Sequence, residues 1–279
     1  MALPLVVEPH PGDPDARRRD RRDAVAEGRA AYNLTMISRF HCPGPLPREG
    51  EIALPESIAH HAVRVLRLAD GEAIVLFDGL GGEVDARLVL RGKAAFAALQ
   101  GYRELTRESP LRVVLVQALA TGDKMDWVVQ KAVELGAAAV QPIQAERSVL
   151  RLAGDRLEKR VAHWRQIAVA ACEQCGRDRI PVIGAPLTLA AWLARTCDGV
   201  RYVLAPEAHG QEQHRFGAGP RPEGEVQIMI GPEGGWTDHE LAACRAAGCI
   251  PIGLGPRVLR TETAGLAAIA VLQGRWGDF

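Results

Sequence analysis

The sequence lacks any apolar run close to the roughly 20 residues that a membrane-spanning helix requires. Its first residues, Met1 to Val7, are apolar but too few and wrongly flanked for a secretory signal, so a cytoplasmic protein is expected. Net charge is lacking as well. The 34 basic residues balance 34 acidic ones, so composition makes no case for a nucleic-acid partner and any basic surface must be local. Lysine occurs only at Lys93, Lys124, Lys131 and Lys159, leaving arginine to supply nearly all the positive charge. Neither GxGxxG nor GxxxxGK[ST] is present, which removes the motif from dinucleotide and P-loop readings.

A second CxxC is also missing. Cys172-Glu-Gln-Cys175 has metal-ligand spacing, yet Cys244 and Cys249 are spaced wrongly to complete a zinc knuckle. A redox pair would sit after a strand at a helix start, whereas this one falls late in a helical stretch. Buried free thiols and no metal are the expectation.

What remains is an ordinary globular balance over 279 residues, 47% hydrophobic and 24% charged, long enough for two domains. Residues 1–35 read apart from the rest. Asp13 to Asp23 holds five arginines and four aspartates without apolar periodicity, so a weakly ordered extension is expected, with Met36 a candidate start.

From residue 36 to about 106 the pattern is short and β-rich. Ile52 to Leu54 is extended, and Ser57 to Leu68 reads as a helix. Ala73 to Phe77 leads into Asp78-Gly-Leu-Gly-Gly82, strong turn chemistry, before alternating strands at Glu83 to Leu90 and Ala94 to Leu99. A small β-barrel with one helix follows, joined by a linker over Arg107 to Pro110.

Residues 107–279 alternate strands and helices. Strands are expected at Val113 to Leu119, Ala139 to Ile143, Val182 to Gly184, Tyr202 to Ala205, Gln227 to Ile230 and Ile250 to Leu254. Helices are expected at Lys124 to Leu135, Asp155 to Cys175, Leu187 to Arg195, Asp238 to Ala247 and Thr263 to Gly274. Thr237 and Glu240 form a capping box for the fourth of these. Such alternation predicts an α/β domain with a largely parallel sheet covered on both faces.

The chemistry concentrates after three of those strands. Gly231-Pro-Glu-Gly-Gly235-Trp236 places three glycines in five positions between a strand and a capped helix, where a plain turn needs one. Leu254-Gly-Pro-Arg-Val-Leu-Arg260-Thr-Glu-Thr-Ala264 and Ala205-Pro-Glu207 follow two other strands. Ligands of open α/β sheets bind beyond the carboxyl ends of strands, so these loops together suit a nucleoside-like cofactor.

In these residues the chain resembles the SPOUT-class 16S ribosomal RNA uridine N3-methyltransferases. Lys131-Ala-Val-Glu-Leu-Gly136, Glu146-Arg-Ser148, Glu173-Gln-x-x-Arg177, His60-His-Ala-Val-Arg-Val-Leu-Arg67 and Leu76-Phe-Asp-Gly79 also match that family's pattern, from Ile37 to Phe279. The resemblance implies a PUA-like β-barrel for RNA and a SPOUT α/β domain with a trefoil knot. It further implies S-adenosylmethionine bound at a homodimer interface, with 16S ribosomal RNA of the small subunit as substrate. Ala205, Pro206, Gly231, Pro232, Glu233, Gly234, Gly235, Leu254, Gly255, Val258, Leu259, Thr263 and Ala264 would line the cofactor pocket. The extension before Met36, and Cys175 where serine is more usual, depart from the pattern.

For methyl transfer to uridine N3, the sulfonium methyl is already activated and the site mainly aligns an in-line attack. The N3 proton must leave and the imidate anion needs positive charge nearby. Arg260, Arg177 and Arg147 are the candidate cations, and Glu262 or Glu173 the candidate proton acceptors. Each also has a structural reading as an ion pair or helix-terminus charge. Arg64 and Arg67, three apart on one expected helix, would share a face and track phosphates, with Arg147 as a further RNA contact. Two other readings stay open: a SPOUT enzyme acting on another base or a ribose 2′-OH, and an inactive RNA-binding homologue.

Overall fold

A computed structural model of the chain describes residues 37–151, 153–205, 216–217 and 219–279. The expected extension over residues 1–35 lies outside the described residues, as do Pro206 and Glu207. Arg39–Phe279 forms a single body that holds two sheets.

The first sheet takes β1 (Ser38–His41), β2 (Gly50–Ala53), β3 (Ala73–Phe77), β4 (Glu83–Arg91) and β5 (Ala94–Arg103) in the order β1-β3-β4-β5-β2. The β3–β4, β4–β5 and β2–β5 pairs are antiparallel. A register shift between Asp85 and Ala86 bends the long β4–β5 ribbon. Phe40, Ile58, Ala62, Ile74, Leu76, Val84 and Leu88 form its core.

The helix expected from Ser57 to Leu68 is shorter and irregular. Helix α1 (Glu56–His60) widens into a π-helical turn over His61–Val65, and Arg67 follows in the left-handed region at φ 57. The Leu66 and Leu68 amides donate to the carbonyls of His61 and Ala62, which closes the wide turn. The shared helical face expected for Arg64 and Arg67 therefore does not form. Arg67 stands beyond the helix end, in a position that ordinarily takes glycine and costs an arginine about 1 kcal/mol.

The second sheet is wholly parallel. It uses β6 (Val113–Ala118), β7 (Ala139–Gln144), β8 (Val182–Ile183), β9 (Leu187–Thr188), β10 (Gly199–Leu204), β11 (Glu225–Ile230) and β12 (Ile250–Ile252), in the order β12-β10-β11-β6-β7-β8 with β9 also on β7. Because side chains alternate along a strand, Val113 and Leu115 enter one core and Val114 and Val116 the other. Helices α2 (Lys124–Glu134), α3 (Gly154–Cys175) and α6 (Thr261–Trp276) cover the first face, where Met125, Val129, Trp164 and Ile269 pack. Helices α4 (Leu189–Leu193) and α5 (Asp238–Ala246) cover the second with Leu189, Trp192, Leu241 and Cys244.

Several bounds differ from expectation. Leu187 and Thr188 join the sheet instead of a helix, because their amides and carbonyls pair with β7 and only then does the Thr188 hydroxyl cap α4. The last strand stops at Ile252, and α6 begins at Thr261. Cys172 lies buried in α3 with its thiol on the Arg179 carbonyl, and burial pushes that thiol up to about 12, which leaves it protonated and inert. Among the described residues no helix is long and apolar enough to cross a membrane.

Candidate active site

A cavity of about 460 Å³ opens at the carboxyl ends of β10, β11 and β12. Its walls are the loops that follow these strands, together with the first turn of α6 and Lys124 at the start of α2. The volume is in the range of a small-ligand pocket.

Most expected cofactor residues meet here. Ala205, Gly231, Pro232, Glu233, Gly234, Gly235, Leu254, Gly255, Val258, Leu259 and Ala264 all line the cavity. Thr263 does not. It is exposed on the first turn of α6, about 100° round the helix from Glu262, which does face the cavity.

The glycine loop owes its residues to two causes. Gly235 sits at φ 70 and Gly255 at φ 81, conformations that side chains resist, and a methyl on either would meet no protein atom. Gly231 and Gly234 are small because the chain itself crowds them: a methyl would come within 3.2 Å of the Trp236 ring and 3.1 Å of the Arg147 side chain. Gly235 and Gly255 line the cavity, and a side chain at either would stand in open space.

Polar groups pin these loops. The Trp236 indole donates to the Leu204 carbonyl at 3.0 Å, and the Thr261 hydroxyl to the Gly231 carbonyl at 2.6 Å. Gln117, fully buried at the end of β6, donates to that same hydroxyl at 2.8 Å. Arg147 donates to the carbonyls of Gly234 and Trp236 at 3.1 and 3.2 Å. Arg147, expected as a candidate cation and as an RNA contact, thus stands in the cavity wall.

Glu233 folds back on the loop after β6, accepting from the Thr121 amide at 3.0 Å, its hydroxyl at 2.8 Å and the Lys124 ammonium at 2.9 Å. Partial burial would raise this carboxyl, but the donors from Thr121 and Lys124 outweigh it and bring it down to about 2. Lys124 also lies 3.8 Å from Glu262, whose buried Oε2 has no hydrogen-bond partner. Arg260 ends the loop as the N-terminal flank of α6, exposed at the cavity edge and making no capping bond.

Arg177 is a correction. It is 4% exposed, its guanidinium is paired with Glu108, and it donates to the carbonyls of Val133 and Ala137 at 2.9 and 2.8 Å. With its donors committed inside the protein it has no reach to a substrate base. Glu173, the alternative proton acceptor, takes the His41 amide at 2.9 Å, away from the cavity lining. Conversely, Lys124, Trp236, Arg257 and Thr261 line the cavity without having been singled out. Lys124 was open to discovery, since it follows the carboxyl end of β6 on the same sheet edge.

Comparison with known proteins accords with this geometry. Residues 107–273 match the model of an RNA methyltransferase domain, and residues 54–97 that of an RNA methyltransferase PUA domain. Ribosomal RNA small subunit methyltransferase E of Bacillus subtilis is 34% identical over 220 residues, covering 76% of this chain and 86% of its own. The protein of that name from Mycobacterium tuberculosis is 33% identical over 251 residues, with 86% and 94% covered. A crystal structure of ribosomal RNA small subunit methyltransferase E from Neisseria gonorrhoeae, bound to S-adenosyl methionine, superposes with a TM-score of 0.79 at 38% identity, covering 87% of this chain and 99% of that one. The chain belongs to the RNA methyltransferase family that contains the small-subunit methyltransferases E.

Proposed function

We propose that this protein is an S-adenosylmethionine-dependent methyltransferase that modifies N3 of a uridine in 16S ribosomal RNA of the small subunit. The observation that carries the reading is the cavity at the carboxyl edge of the parallel sheet, where Gly235 and Gly255 leave main chain open to a ligand. Family membership and the ligand of the Neisseria relative supply the cofactor's identity.

The loops at Ala205, at Gly231 to Gly235 and at Leu254 to Leu259, with Ala264 behind them, would hold the cofactor. When bound, S-adenosylmethionine supplies an electrophilic sulfonium methyl. The chain's own residues do the rest. Arg260 presents a guanidinium, charged at every working pH, toward O2 or O4 as N3 loses its proton. The Oε2 of Glu262, which lacks a donor, accepts that proton. Lys124, 2.9 Å from Glu233 and 3.8 Å from Glu262, places positive charge beside both carboxylates.

Residues 36–106 serve as a PUA-like barrel domain that presents Arg64 and Arg67 to phosphates, and residues 107–279 as a SPOUT domain with a trefoil knot. The working form in the cytoplasm is a homodimer. Trp127 on α2 and Val271 on α6 leave apolar surface exposed for the second subunit. Light scattering should give twice the chain mass, and a fully active monomer would contradict the dimer.

A methyl on N3 blocks the pairing edge of uracil, so reverse transcriptase stops there. Primer extension on 16S ribosomal RNA from a strain lacking the gene should lose one such stop and regain it on complementation. An unchanged stop pattern would remove the reading.

A further inference from the structure

Two carboxylates with almost no solvent exposure lie where the two sheets meet: Glu83 at 1% on β4 and Asp178 at 0% just after α3. Neither takes part in the cavity. Glu83 is ringed by Arg39, by Arg103 at 2.6 Å and by Arg107 at 3.1 Å. Asp178 accepts the Gly82 amide at 2.6 Å and the Arg107 amide at 3.4 Å.

The same arginines reach across. Arg39 donates to the Arg177 carbonyl at 3.2 Å and Arg107 to the Gly176 carbonyl at 2.9 Å. Glu173 takes the His41 amide, the Ile180 amide donates to the Gly79 carbonyl at 3.2 Å, and Leu80 forms an isolated antiparallel bridge with Arg179. Arg177 anchors this segment from below through Glu108. The Glu173 to Arg177 motif and the Asp78 to Gly82 turn, unused by the cavity, are therefore the two halves of one contact.

An apolar contact of this size would tolerate sliding, whereas a buried carboxylate tolerates only the position in which its donors converge. Ion pairs of this kind add little net stability over apolar packing but fix register. Burial alone would raise the Glu83 carboxyl, yet hydrogen bonds from Arg107 and Arg39 hold it below the usual range, so Glu83 stays charged.

We propose that residues 173–180 are a seat that locks the N-terminal sheet at one angle to the methyltransferase domain, making Glu83, Arg107 and Asp178 positioning residues that set where bound RNA meets the cavity. This rests on the function proposed above. It predicts variants that bind S-adenosylmethionine normally but deliver RNA badly.

The test uses full-length Asp178→Asn and Arg107→Ala; the latter side chain is 42% exposed and its loss should leave a folded protein. Calorimetry should give a cofactor Kd within about twofold of wild type, while kcat/KM for small-subunit RNA falls at least about tenfold. A Leu80→Cys/Arg179→Cys pair added to Asp178→Asn should restore transfer when oxidised and lose it on reduction, because facing residues of an antiparallel bridge suit a disulfide. Small-angle scattering needs no activity: Asp178→Asn should widen the distribution of particle dimensions and the cross-link narrow it. Wild-type kcat/KM in both single variants, or an unchanged scattering profile, would overturn the seat. A wild-type protein that leaves RNA unmethylated would count against the proposed function, with the scattering result still deciding the seat.

Discussion

The Thr261 hydroxyl donates to the Gly231 carbonyl at 2.6 Å, tying the first turn of α6 to the first glycine of the cavity loop. Gln117 completes the link from β6, so two strand ends and the start of α6 share one hydroxyl. Thr261→Val keeps the shape and deletes the link, leaving the Gly231 carbonyl without this donor. Stability should fall by about 1–2 kcal/mol, and S-adenosylmethionine affinity by roughly tenfold, about 1.4 kcal/mol. Calorimetry on the folded variant checks both; unchanged affinity would remove the loop link from the account.

Gly235 should tolerate no branched side chain. Gly235→Val forces a β-branched residue to φ 70 and adds bulk at a residue that lines the cavity. Backbone strain of about 1–2 kcal/mol should lower Tm modestly, while cofactor binding becomes undetectable by calorimetry. A folded variant with normal affinity would move the site elsewhere.

Arg260 should matter for turnover rather than cofactor affinity. Arg260→Lys keeps a charge but loses the planar pair of donors. The expected outcome is unchanged S-adenosylmethionine Kd, kcat down about a hundredfold, in the range of a lost charge-stabilising donor, and partial recovery toward high pH as uracil ionises unaided. Weaker cofactor or RNA binding without pH rescue would make Arg260 an anchor instead.

Glu233 should make the fold acid-sensitive. Its carboxyl is brought down to about 2 from the ordinary glutamate value of 4.5, so its contribution is complete above about 4.5 and is lost as pH falls toward 2. Solvent at the cavity mouth screens the contacts, which limits the effect to about 1–2 kcal/mol. Glu233→Gln should flatten the stability profile between those limits and leave it parallel to wild type at neutral pH. Identical acid transitions in the two proteins would contradict the assignment.

The parallel sheet was legible in the sequence because apolar runs such as Val113 to Leu119 and Gln227 to Ile230 are buried on both faces and end in turn residues. The capping box at Thr237 and Glu240 forms as written. The cavity was legible through its glycines, two of which combine a positive φ with open space where a side chain would stand. The burial of Arg177 is not legible, because a charged residue in a family motif gives no sign of it until Val133, Ala137 and Glu108 are brought round it. Lys124 and Thr261 are not legible as site residues because their partners, Glu233 and Gly231, lie 109 and 30 residues away in sequence. The π-helical turn at His61–Val65 is not legible because a single five-residue turn is too short to set up a periodicity of its own.

The central claim is transfer of a methyl from S-adenosylmethionine to uridine N3. Purified protein, isotope-labelled S-adenosylmethionine and small subunits from a strain lacking the gene test it directly, with digestion to nucleosides and mass spectrometry. The label should appear in 3-methyluridine from 16S ribosomal RNA, and Gly235→Val should abolish it. Label in a 2′-O-methyl nucleoside, in another base or nowhere would contradict the account.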